Sequence, residues 1–322
     1  MTTTRSRFSN RSAFSAVVLA LMLSLGVGCS DGNNGDVAIV LPGCADTGSC
    51  ASNPPLAIGG ERQAQVFIPA NYTPTTRYPL VIVLHGFGAN GAIQAAYLGL
   101  SERVDNKQFV LVAPDGTPND QGTLYWDATP ACCAFDKLGE VDDVAYIRGL
   151  IEEAARTYSI DPRRVALFGH SNGGFMTLRM ACEASEYVTA AISLAGSTFE
   201  DAASCTPAAR PVSVLLVHGD DDTTIRYEGG ANGGNPYPGA VETSERSALQ
   251  AGCDVANPVP GPDLDVDASV AGPETTTLIY PDCLQNAEVE LWTIVGGPHI
   301  PAPWNPAAQD AFVDWLIGHP RS

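Results

Sequence analysis

The chain has 322 residues, 45% of them hydrophobic, enough for one large α/β core. With 36 acidic against 17 basic residues its formal net charge is −19, which makes nucleic acid and anionic membrane surfaces poor partners. No CxxC pair and no HExxH stretch occurs, so the sequence gives no reason to expect a metal or a cofactor.

Arg5, Arg7 and Arg11 precede an apolar run from Ala13 to Val27 that is too short for a comfortable membrane span, so residues 1–28 are expected to be an export signal. Its removal takes away three positive charges and no negative one, deepening −19 to −22. The stretch Leu25-Gly26-Val27-Gly28-Cys29 resembles a bacterial lipoprotein cleavage site, although Gly26 stands where leucine is expected. Cys29 is therefore the candidate lipidation site, and a lipid there would be the one link to a membrane. The protein is expected outside the cytoplasm, in the cell envelope or the medium. Residues 29–58, rich in Gly, Asn, Asp, Ser and Pro, read as a flexible tether with a small disulfide loop, and the catalytic domain as 59–322.

From there strand patterns at residues 63–68, 80–85, 109–113, 164–168, 190–194, 212–218 and 289–295 alternate with helical stretches, which predicts a parallel α/β sheet. The clearest helix spans Val141 to Tyr158, with Val144, Ile147, Ile151, Ala154 and Tyr158 on one face. Residues 228–239 and 253–275 read as loops. The second holds Asp263, Asp265, Asp267 and Glu274, a partial match to a calcium loop, but Ala268 replaces the required glycine and a solvated acidic loop is the better reading. Setting Cys29 aside leaves eight cysteines, and local spacing favours Cys44 with Cys50, Cys253 with Cys283 and, less strongly, Cys182 with Cys205.

Chemistry concentrates at Gly169-His170-Ser171-Asn172-Gly173, a G-x-S-x-G stretch joining the apolar run Val165–Phe168 to a helical pattern. A sharp strand-to-helix turn lifts a serine oxygen clear of its backbone, and the glycines relieve the crowding. Serine needs a base, and the base needs a carboxylate to fix its tautomer. Of five histidines, His85 and His218 close strands, His170 lies inside the turn and His319 lies in the polar tail. His299, on the loop after the 289–295 strand, is the candidate base. The strand at 212–218 runs into Asp220-Asp221-Asp222, and spacing leaves the choice of acid among the three open. His85-Gly86-Phe87-Gly88 resembles an H-G-x-G turn, so the N–H groups of Phe87 and Asn172 are the candidate oxyanion donors.

From Arg62 to Trp315 the chain resembles the secreted esterases that group polyhydroxybutyrate depolymerase-like proteins with feruloyl and acetylxylan esterases. The resemblance rests on Pro79–Gly86, Pro114-Asp115-Gly116, Trp126 with Cys132-Cys133, Val141–Val144, Gly169–Gly174 and Gly296–His299. It implies an α/β-hydrolase fold with a mostly parallel sheet and helices on both faces. An H-G-x-x-D pattern in that family selects Asp222 as the acid. Pro298 and the Ile300–Trp304 stretch depart from the family around the histidine. Trp126 and His170 are expected to touch substrate, and Cys132 and Cys133 to be structural. The implied protein is an exported serine carboxylic ester hydrolase using an acyl-enzyme, with an ester substrate that is a feruloyl or acetyl group on plant polysaccharide. The alternatives are a polyhydroxyalkanoate or other polyester depolymerase and a noncatalytic surface-binding lipoprotein.

Overall fold

The computed structural model describes residues 41–205 and 208–322. The proposed leader, Cys29 and the first part of the proposed tether lie outside the described residues. The elements are, in chain order, α1 (Cys44–Thr47), β1 (Ala57–Ile58), β2 (Ala64–Phe67), β3 (Tyr78–Leu84), α2 (Gly91–Tyr97), α3 (Val104–Lys107), β4 (Val110–Pro114), β5 (Thr117–Pro118), β6 (Leu124–Tyr125), α4 (Asp143–Thr157), β7 (Ile160–His170), α5 (Asn172–Glu183), β8 (Ala190–Leu194), β9 (Ser213–Gly219), β10 (Gly229–Asn232), β11 (Asn235–Pro238), α6 (Ala240–Ala251), β12 (Val259–Pro260), β13 (Thr275–Tyr280), β14 (Val289–Ile294) and α7 (Pro306–Ile317).

Ten strands form one sheet in the order β1-β2-β4-β3-β7-β8-β9-β14-β13-β12. The strands from β4 to β14 along that order run parallel, and antiparallel strands close each edge. This is an α/β-hydrolase fold. Parallel strands buried on both faces need apolar residues at every position, and β3 meets this with all seven residues buried. Its side chains alternate: Leu80, Ile82 and Leu84 face the layer of α4, α5 and α6, while Val81 and Val83 face α2, α3 and α7. Helix α4 buries Val144, Ile147, Leu150, Ile151 and Ala154 as one stripe, and Asp142 caps it by accepting from Ala145 N at 2.8 Å.

Three expectations need correction. Part of the stretch read as tether is packed: Leu41 and Cys44 are buried and β1 pairs with β2, because the Cys44–Cys50 bridge and the short helix α1 let a polar segment lie against α4. Residues 228–239 form the hairpin β10–β11, whose turn residues Gly233 and Gly234 both have positive φ, 58° and 84°. A two-residue turn of that hand matches strand twist, and Asn-Gly-Gly-Asn is its composition. The stretch read as one loop from 253 to 275 contains the edge strand β12, and the whole of β13 escaped the strand pattern. In it Asp267 and Glu274 accept N–H groups of their own loop, from Ser269 and from Val266 and Asp267, so these carboxylates staple the turn.

The bridges Cys44–Cys50, Cys182–Cys205 and Cys253–Cys283 are present, and the vicinal pair Cys132–Cys133 forms the fourth.

Candidate active site

Strand β7 delivers Ser171 at the carboxyl edge of the sheet, and α5 begins at the next residue. Ser171 has φ 54° and ψ −118°, a backbone conformation that L-residues rarely adopt. Close approach enforces the turn: a Cβ on Gly169 would lie 2.0 Å from Gly173 O, and one on Gly173 would lie 2.1 Å from Leu84 O. Ser171 N donates to Leu194 O at 2.8 Å, tying the turn to β8.

His299 comes from the loop between β14 and α7, and Asp222 from the loop after β9. Ser171 Oγ lies 2.9 Å from His299 Nε2, and His299 Nδ1 donates to Asp222 Oδ2 across 2.7 Å. Asp220 and Asp221 are exposed, whereas Asp222 is 4% exposed and its Oδ1 accepts from Thr224 N and Ile225 N. Burial opposes ionisation of Asp222, but hydrogen bonds from His218 and His299 outweigh it and hold the carboxyl well below the usual carboxylate range. A charged Asp222 fixes the imidazole with its proton on Nδ1 and its lone pair toward the hydroxyl. That arrangement can move a proton from Ser171 to His299.

The candidate oxyanion donors are the backbone N–H groups of Phe87, on the turn after β3, and of Asn172, the residue after the serine. A Cβ on Gly86 would lie 3.5 Å from Ser171 Cβ, which places the Gly86-Phe87 turn against the serine. The turn is held by His85, whose Nδ1 donates to Gly86 O and whose Nε2 accepts from Gly116 N, both at 2.8 Å. Burial lowers the His85 pKa and so favours the neutral ring that this pairing needs. Asn172 opens α5, where the first N–H groups have no helical acceptor.

Trp126 does not face the substrate side. It is fully buried, its indole N–H donates to His85 O at 3.0 Å, its backbone N donates to Asn172 Oδ1 at 2.7 Å and its O accepts from Asn172 Nδ2 at 2.9 Å. It therefore clamps both turns that carry the candidate oxyanion donors. Behind it, Asp143 accepts from Arg62 Nη1 and from Asp127 N, each at 2.7 Å, and the Arg62 guanidinium lies 3.8 Å from the Tyr146 ring centroid.

His170 likewise supports the site from within the protein. It is buried, and its Nε2 donates to the carbonyl of His299 at 2.9 Å. Burial and the neighbouring His299 push its pKa down to about 4, which keeps the ring neutral. Tyr97 packs between His170 and Trp304 at ring-centroid distances of 5.7 and 5.6 Å, and its hydroxyl donates to Pro301 O at 2.8 Å. The residues around His299 that depart from the family pattern are thus fixed by α2, a contact between distant segments that spacing along the chain could not reveal.

Beside the Phe87 turn a cleft of about 440 Å³ is lined by Phe87, Tyr125, Cys133, Phe135, Lys137 and Glu140, among others. The Phe87 side chain is 46% exposed, and the tip of the β10–β11 hairpin reaches this region, since a Cβ on Gly233 would lie 2.7 Å from Phe135 Cδ1.

A doubly covered, mostly parallel sheet carrying a serine at the β7–α5 turn, with an acid on the loop after β9 and a histidine on the loop after β14, defines an α/β-hydrolase with a hydrolase-type site. The chain belongs to the putative esterase family, whose model matches residues 56–226. It is 27% identical over 251 residues to feruloyl esterase B of Piromyces equi, covering 74% of this chain and 42% of that protein. It therefore spans less than half the length of that relative. It is 24% identical over 265 residues to feruloyl esterase D of Neurospora crassa, covering 79% of each. Among solved structures, the acetyl xylan esterase from Aspergillus awamori superposes with a TM-score of 0.58 at 18% identity, covering 81% of this chain and 97% of that one, a likeness of fold.

Proposed function

We propose that the protein is an exported carboxylic ester hydrolase that works through an acyl-enzyme on Ser171. The observation that carries this reading is the unbroken chain of hydrogen bonds from Ser171 through His299 to Asp222, 2.9 and 2.7 Å long. Ser171 attacks the ester carbonyl while His299 takes its proton; the imidazolium, paired with Asp222, then protonates the leaving alcohol. Water attacks the acyl-enzyme with His299 again as base, releasing the acid. The N–H groups of Phe87 and Asn172 hold the oxyanion, each worth about 3 to 4 kcal/mol in the transition state.

The substrate we infer is a feruloyl or acetyl ester of plant polysaccharide. Relatives named feruloyl esterase support the acyl group. So does the cleft beside Phe87, whose aromatic lining and about 440 Å³ suit a ring-sized acyl group better than an acetyl group alone. A polyester is the second reading, favoured by Phe87 and Ile300, 46% and 58% exposed on segments flanking the triad, which could rest on an apolar polymer.

Purified protein is tested on methyl ferulate, para-nitrophenyl acetate and a polyhydroxybutyrate film. The reading predicts cleavage of the first two and a loss of at least about 1,000-fold in Ser171→Ala with an unchanged melting temperature. Film hydrolysis exceeding ferulate hydrolysis would transfer the substrate to the second reading. A folded protein inert on all three would remove the esterase reading.

A further inference from the structure

Asp222 has more hydrogen-bond partners than a triad requires. Its Oδ1 takes two backbone N–H groups, and its Oδ2 faces His299 Nδ1 at 2.7 Å and also His218 Nε2 at 3.3 Å. His218 is the penultimate residue of β9, four residues before the acid, and is 1% exposed. Its Nε2 also lies 2.7 Å from Ile225 O, and a carbonyl can only accept, so Nε2 carries the proton. Nδ1 is buried and has no partner among the described residues. A proton on Nδ1 would be an unsatisfied buried N–H, so the ring is held as the Nε2–H tautomer. Tyr227 fixes the plane of that ring, edge to face at 5.8 Å, with its own hydroxyl on Thr293.

We propose that His218 is a positioning residue that acts through Asp222, sharing its Nε2–H between Ile225 O and the acid so that the carboxylate is oriented toward His299 and its charge is dispersed. This rests on the triad reading given above. The acid is thereby gripped between two imidazoles, one that turns over with the reaction and one that does not. Dispersing the Asp222 charge weakens its hold on an imidazolium at His299. Other ionisable groups around the pair are His170 against the His299 loop, Tyr227 on the His218 ring, and the exposed Asp220 and Asp221 on the acid loop.

The test compares His218→Leu, which removes the donor, with His218→Gln, whose amide can restore one at the Nε2 position. On para-nitrophenyl acetate the leucine variant should lose about tenfold in kcat/KM at pH 7, with its acid limb moved to higher pH so that much of the loss is recovered at pH 9. KM should change little, and the glutamine variant should return to within about threefold of the parent. Combined with Asp222→Asn, the leucine change should cost nothing further, since it acts through that carboxylate. An unchanged rate, an equal loss at every pH, or a full loss repeated in the Asp222→Asn background would each overturn the inference. Nitrogen-15 NMR of the unaltered protein gives an answer even where the leucine variant does not fold: His218 should be the Nε2–H tautomer, and an Nδ1–H signal would overturn the proposal. Ser171→Ala with activity retained overturns the triad reading, whereas loss in Ser171→Ala together with any of those His218 results overturns this inference alone.

Discussion

One residue before the serine, His170 gives its imidazole N–H to the carbonyl of His299, so the same pentapeptide that presents Ser171 also anchors the loop bringing the base. That arrangement has a thermodynamic signature. In the folded protein the His170 pKa is about 4, against 6.5 for an ordinary histidine. Between those values the unfolded chain binds a proton that the native state refuses, so stability falls as pH drops from 6.5 toward 4. The loss amounts to about 3 kcal/mol by pH 4. Asp222, held below the usual carboxylate range, adds a further loss at still lower pH. Urea melts at pH 7, 5.5 and 4 should show this slope, and His170→Gln should flatten it; equal slopes in the two proteins would show that another group carries the titration. The candidate serine, the late histidine and the two turns proposed to carry the oxyanion donors are each a short local pattern with its own backbone demand. The parts played by Trp126 and Tyr97 are not. Trp126, just after β6, reaches Asn172 only through a contact between segments far apart in the chain, and a tryptophan in a loop carries no mark distinguishing a substrate platform from a buried clamp.

The parallel strands at the centre of the sheet are written in runs of apolar residues, and all seven strands read from the sequence are present. Elements that escaped lie where burial is one-sided or where the turn is the main signal. Strand β13, Thr275–Tyr280, alternates buried and partly exposed positions beside the edge and carries three threonines, so it shows no apolar run. The β10–β11 hairpin hid behind its glycines, although two consecutive glycines between asparagines are themselves a hairpin turn signature. Helix α4 was the clearest helix in the sequence, and its start depends on one side chain. Asp142→Ala removes the acceptor for Ala145 N and should cost about 1 kcal/mol, measured by urea unfolding, with activity at saturating substrate unchanged. A cost below a few tenths would mean that the neighbouring Asp143–Arg62 pair alone sets the helix start.

Taken whole, the described residues form a mostly parallel sheet with its candidate chemistry gathered at one end of the strands, and its cross-links lie away from that end except for the vicinal pair near the cleft. The Cys253–Cys283 bridge spans 30 residues between α6 and the segment after β13. Chain-entropy reasoning gives about 3.6 kcal/mol for closing such a loop, against about 2.2 for the 6-residue Cys44–Cys50 bridge. Replacing both cysteines of the longer bridge by serine should therefore lower the melting temperature more than the same change in the shorter one; the opposite order would show that native-state contacts, not loop length, decide. The small disulfide loop expected in the tether is present, but the packing of residues 41–58 is not legible in their composition. Its polar, glycine-rich composition resembles a linker, yet a six-residue disulfide loop and a two-strand pairing hold residues 41–58 on the domain.

Whether these strand ends form one reacting unit can be read most directly by treating the protein with a fluorophosphonate, which phosphonylates only an activated serine, and mapping the adduct by peptide mass spectrometry. The triad reading predicts a single adduct on Ser171, formed in step with loss of ester hydrolysis and abolished by His299→Ala. An adduct on another residue, or hydrolysis that continues with Ser171 fully modified, would contradict it.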